Sequence, residues 1–168
     1  MKKNFLIVTL LFLLAGCSIM ETVKGREPKY GSNAPLITKA FAAQEIWAGE
    51  TWKIYLEASD PDGDMKTIVC WIDQPAVSYP SSFTRIREGQ RQNLSGYIFL
   101  TTKPGINLFN LTLYVQIVDE AGHSSVPLSI PLIFNARAKQ ENPPPGAFKE
   151  NELGPINIEL RPIPGAAH

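Results

Sequence analysis

Cysteine and histidine, the side chains most often used for metal binding and nucleophilic catalysis, are the scarcest chemistry in this chain of 168 residues, with two of each. The cysteines, Cys17 and Cys70, form no zinc or haem-attachment motif, and no phosphate-binding glycine loop or nucleophile elbow occurs. His123 lies in the turn-like "DEAGHSS" and reads as a surface residue rather than a general base, while His168 is terminal. An enzyme is therefore not expected. Charge of one sign is also lacking, with 16 basic and 16 acidic residues. That balance gives no reason to expect a nucleic-acid partner. The apolar run "FLIVTLLFLL" (5–14) has ten residues, whereas crossing a hydrocarbon core takes about 17–25. No internal repeat, heptad or capped segment of helical period stands out.

What is present begins at the N-terminus. Lys2 and Lys3, a short apolar run and then small residues make a secretory signal. The four residues Leu14-Ala15-Gly16-Cys17 resemble a bacterial lipobox. The resemblance implies removal of residues 1–16, acylation of Cys17 (palmitate among the chains) and anchoring to the bilayer. Several acyl chains, at about 0.8 kcal/mol per buried methylene, hold a protein effectively permanently. Ser18 resembles the enterobacterial pattern for export to the outer membrane, so the expected address is the bacterial envelope, lipid-anchored, most simply at that membrane. The mature chain would carry 14 basic and 16 acidic residues. Cys70 would then have no partner for an intrachain disulfide, and it reads as a small buried hydrophobe.

Residues 17–34 read as the lipidated cysteine and a polar tether with a reach of about 20–25 Å. From 35 to 135 the pattern is short strands punctuated by turns. "TWKIYLEA" (51–58) alternates, with Trp52, Ile54 and Leu56 on one face. "TIVCWID" (67–73) is apolar on both faces, as a central strand is, and "LTLYVQIVD" (111–119) alternates again. "LITKAF" (36–41) and "GYIFLTT" (96–102) add strands, and "VPLSIPLIF" (126–134) carries two prolines that mark an edge. The predicted fold class is all-β, a single sandwich of about seven strands. Residues 136–168 hold six prolines and read as a tail without its own core. Within it "PINIELRPI" (155–163) alternates, so Ile156, Ile158 and Leu160 are candidate partner-binding residues, as an added edge strand here or on a partner. A disordered tail is the competing reading.

"WAGETWKIYLEASDPDGDMKTIVCWID" and "KPGINLFNLTLYVQIVDEAGHSS" together resemble the bacterial immunoglobulin-like, PKD and cadherin-like modules. The resemblance covers about residues 36–134 and implies an immunoglobulin-like sandwich with Trp71 and Cys70 packed inside. Fold of this kind does not fix function.

Asp60, Asp62 and Asp64 stand at i, i+2 and i+4 in "SDPDGDM", and Asp119 and Glu120 end the long strand. In an immunoglobulin-like sandwich these loops cluster at one end. Five carboxylates would repel one another there, and calcium, which takes six to eight oxygens, would relieve that. The alternative is ordinary turn chemistry, in which proline, glycine and aspartate shape the loop without a metal. Both readings are open at this point. An EF-hand is excluded, because Met65 and Trp71 stand where its glycine and glutamate belong. Arg85, Arg87 and Arg91 form a basic cluster, read as a solvated strand face or loop against a phosphate or acidic-partner site. Tyr79, Phe83, Tyr97 and Phe109 read either as core or as a contact surface. The expected function is a non-enzymatic protein-binding or assembly module of an envelope complex, with an envelope protein as the expected partner. The alternative is a carbohydrate- or small-ligand-binding surface lipoprotein.

Overall fold

The computed structural model describes residues 21–104 and 110–162. Cys17 and Phe109 lie outside the described residues. A short helix α1 (Val23–Tyr30) leads into nine strands: β1 (Leu36–Ala42), β2 (Glu45–Ile46), β3 (Thr51–Ser59), β4 (Met65–Asp73), β5 (Ser82–Arg85), β6 (Asn93–Thr101), β7 (Leu111–Asp119), β8 (Leu128–Phe134) and β9 (Glu152–Pro155). They form two sheets, one ordered β1-β3-β6-β9 and the other β2-β8-β7-β4-β5. The pairings are antiparallel except β2 with β8 and β6 with β9. This is an immunoglobulin-like β-sandwich.

The period-2 alternation decides what lies between the sheets. Trp52, Ile54 and Leu56 of β3 and Ile98 and Leu100 of β6 face Ile68, Cys70 and Ile72 of β4 and Leu113, Val115 and Ile117 of β7, all buried in one cluster. The Trp52 indole N–H is satisfied in that core by the Ala43 carbonyl at 2.8 Å. Because β4 is apolar on both faces, composition alone could not fix its parity. Pairing with β7 settles it: Cys70 points inward, and Trp71 stands on the outer face, stacked on Tyr114. The expectation that Trp71 is packed inside is thereby corrected, and Trp52 is the core tryptophan.

The tail overturns two expectations. The packed unit does not end at 135, because Phe148 lies against Phe41 and Tyr55 on the outer face of the β1-β3-β6 sheet. Lys39 donates to the Ala147 carbonyl and Tyr55 to Glu150. The chain then turns to run parallel to β6, with Tyr97 N–H donating to Asn151 and Ile156 N–H to Phe99. Beyond β9, Ile156, Ile158 and Leu160 insert between the sheets and belong to this domain's own core. Thr84 and Ser82 of β5 bond Pro155 and Asn157, so the segment closes the open side of the sandwich. Their reading as partner-binding residues is corrected, since burial leaves no apolar face for a partner.

Part of the segment read as a tether, Val23–Tyr30, is helical. Thr22 caps α1 by accepting from Gly25 N–H, and the helix ends at Gly31. Gly25 and Pro28 are poor residues for a helix interior, which is why no helical signal stood out. Contacts distant in sequence hold it.

Candidate functional site

The site sits where β3 hands over to β4 and β7 ends. Asp60 follows β3, and its N–H donates to Gln92. Its carboxylate Oδ1 accepts from Asp62 N–H at 3.0 Å, which with Gly63 N–H on the Asp60 carbonyl folds the loop tightly. Asp64 immediately precedes β4, and its carbonyl accepts from Glu120 N–H at 3.1 Å. Asp119 is the last residue of β7 and pairs with Met65 across the ladder. One carboxylate oxygen from each of Asp60, Asp64 and Asp119 lies within 4.8 Å of the others. These aspartates are 1%, 7% and 2% exposed.

Three buried carboxylates in so small a volume conflict with ordinary desolvation costs. Asp60 Oδ2 and both oxygens of Asp64 are buried without a hydrogen bond of good geometry, and the groups acting on Asp64 are the Asp60 carboxyl and, more weakly, the Ala121 N–H. Asp119 is better served: its Oδ1 accepts from the N–H groups of Gly122 and His123 at 2.5 and 2.8 Å, and its Oδ2 lies 3.0 Å from His123 Nδ1. Burial, then the neighbouring Asp60 and Asp119 carboxylates, push the Asp64 carboxyl up to about 6. The arrangement offers hard anionic oxygens with unfilled lone pairs, the donor set that a divalent cation such as calcium or magnesium uses. Calcium's larger, more flexible shell suits a cluster completed by water or backbone carbonyls.

Of the five candidate carboxylates, three are brought together and two are not. Asp62 points outward and accepts from Asn33 N–H at 2.7 Å and from the Asn33 amide at 2.9 and 3.1 Å. Those bonds hold its carboxyl below the usual range. Glu120 is occupied by Lys66 at 2.8 Å and Arg91 at 3.5 Å, and the Lys66 bond lowers its pKa. Arg91 of the basic cluster is thus an ion-pair partner here. The turn reading also holds in part, because the Asp60 carboxylate shapes its own loop.

His123, Asn33 and α1 were not singled out as parts of the site. Burial works against charge on His123, yet hydrogen bonds to Glu27 and Asp119 raise its pKa overall. The signal available in sequence was Asp119 with Gly122 three residues on, a turn that carries His123 back over the carboxylate. Cys70 is buried, and its thiol is pushed up to about 12 by burial alone, which leaves it inert as a nucleophile. Among the aromatic candidates, Phe83 is 65% exposed on β5. Tyr79 packs against the core with its hydroxyl on Gln74, and Tyr97 packs on Tyr55 and Phe99.

No family model matches the chain, and no curated protein matches it significantly. Among solved structures, the PKD domain of an M14-like peptidase from Thermoplasmatales archaeon SCGC AB-540-F20 is similar, at 13% identity and a TM-score of 0.39, over 61% of this chain and 98% of that one. The immunoglobulin-like assignment stands on this chain's own two sheets.

Proposed function

We propose that this chain is a non-catalytic binding module of a bacterial envelope, anchored through acylated Cys17, that contributes to a protein complex through one bare sheet face. The observation that carries this reading is the difference between the two outer faces. The face of β1, β3 and β6 bears Phe41, Tyr55, Tyr97 and Phe99, and the chain's own Phe148 packs on it. The face of β4, β5 and β7 bears Val69, Trp71, Phe83 and Tyr114 in adjacent register, and no described segment covers it in the same way. Aromatic side chains with little charge between them are what protein interfaces concentrate at their centres. With a photoreactive phenylalanine at Phe83, crosslinking in intact cells is expected to capture one dominant envelope protein. The same probe at exposed Thr38 on β1 is expected to capture none, and equal capture from both sites counts against the assignment.

A second reading is favoured by one geometric detail. Trp71 and Tyr114 stack with planes 7° apart and centroids 5.2 Å apart, an aromatic pair of the kind against which a sugar ring packs. Glycan-array binding by the purified chain, without a protein crosslink, would move the assignment to a carbohydrate ligand.

The acidic pole completes the proposal. Asp60, Asp64 and Asp119 take up one calcium ion, which supplies the charge that their buried oxygens lack. Asp62 and Glu120 do not ligate it. The ion is structural in this reading, and no reaction is assigned to it.

A further inference from the structure

We infer that the cation site and the helix ahead of the domain work as one device: an ion held by Asp60, Asp64 and Asp119 fastens α1 to the pole, and its loss releases the segment leading toward the anchor. This rests on the calcium reading above. The argument begins with where α1 is attached. The loop that supplies Asp60 and Asp64 also supplies Asp62, whose carboxylate grips Asn33 just after the helix. The loop that supplies Asp119 also supplies the Glu120 carbonyl, which accepts from Arg26 Nη1 at 3.3 Å. It carries His123 as well, whose Nδ1 faces Asp119 at 3.0 Å and whose Nε2 faces Glu27 of the helix at 3.3 Å. The helix therefore straps across two loops, and those two loops also provide all three ligands.

The fit is close at both ends. Gly31 has φ +104, and a Cβ there would collide with the Asp62 carboxylate. Gly122 has φ +101, and a Cβ there would come within 2.6 Å of Arg26 Nη2. Side chains at either position would lift the strap from its bed. α1 itself has no buried residue, so apolar burial does little to keep it in place. What holds it is the relative position of the two loops. With the ion present, that position is fixed by three bonds to one centre. Without it, three like charges face one another, and the loops are free to separate by the small distances that break hydrogen bonds of about 3 Å.

The experiment is hydrogen exchange of the full chain at constant pH, in saturating calcium and in chelator, alongside calorimetric titration with calcium. Amides of residues 25–33 are expected to exchange at least about tenfold faster in chelator, while Ile54 and Ile98 in the sheet centre stay unchanged. The Arg26→Ala and Glu27→Ala double variant, which cuts only helix contacts, is expected to take up calcium as the native chain does but to lose the calcium-dependent protection of 25–33. Asp64→Asn is expected to lose both uptake and protection. If calcium binds but exchange of 25–33 is the same in both conditions, the coupling is wrong and the cation site survives. If titration shows no uptake, the cation reading fails and the coupling with it.

Discussion

A chain ended after Lys149 is expected not to fold. The deletion removes Leu153, Ile156, Ile158 and Leu160, which are 9%, 4%, 5% and 6% exposed. At about 1.5–3 kcal/mol for each buried aliphatic side chain, the loss is roughly 6–12 kcal/mol. Whole domains are stable by about 5–15 kcal/mol. The deletion also strips β6 of its outer partner, leaving the Tyr97 N–H and the Phe99 carbonyl without the bonds that Asn151 and Ile156 make at 2.8 and 2.7 Å. An unpaired edge next to an opened core is an aggregation surface. Thermal melting followed by near-ultraviolet circular dichroism gives the readout, with a chain ended after Arg161 as control. The control keeps every buried tail residue among those described and is expected to melt like the full protein. A cooperative native-like melt from the shorter chain would show that the tail is an accessory and not part of the core.

The second large effect is a pH dependence that calcium cancels. Asp64 has its carboxyl raised from 3.8 to about 6 in the fold. A folded pKa above the unfolded one means that the folded state binds more protons between them. The contribution to stability is therefore complete below about 3.8 and is lost as the pH rises through 6. The shift corresponds to about 3 kcal/mol. Without metal, the wild type is expected to lose most of that, roughly 2 kcal/mol, relative to Asp64→Asn between pH 4 and pH 7, because an amide cannot ionise. Comparison with the variant matters because Glu120, with a lowered pKa, stabilises in the opposite sense as pH rises. In calcium the loss is offset: ionised carboxylates bind the ion, and an ion at a hundred times its dissociation constant adds about 2.7 kcal/mol. Urea denaturation at the two pH values, in calcium and in chelator, measures all four cases. Parallel pH curves for wild type and Asp64→Asn in chelator would show that Asp64 is not under strain.

The strands that read clearly in sequence are those whose inner and outer faces differ in chemistry. β3 and β7 alternate strongly, and their ranges agree with the predicted ones to within a residue. Ile156, Ile158 and Leu160 also alternate visibly, but alternation does not say which sheet edge receives them. That depends on a parallel pairing with β6, more than 50 residues earlier, and local sequence does not encode it. The site was half legible for a similar reason. The spacing of Asp60, Asp62 and Asp64 brings carboxylates to one loop, but the hydrogen bond from Asp62 N–H to Asp60 folds the middle residue outward. Asn33 then holds it there, through a segment that reads as a featureless tether.

The closing of the sandwich by residues 152–160 also has a meaning in time. Synthesis proceeds from the N-terminus at about 5–20 residues per second. Until residue 160 has been made, β6 has an open edge and the core lacks its last four aliphatic side chains. The emerging chain therefore has no complete native state to fall into. Placing these core residues in β9 and just after it ties the native state to the completion of residues 152–160.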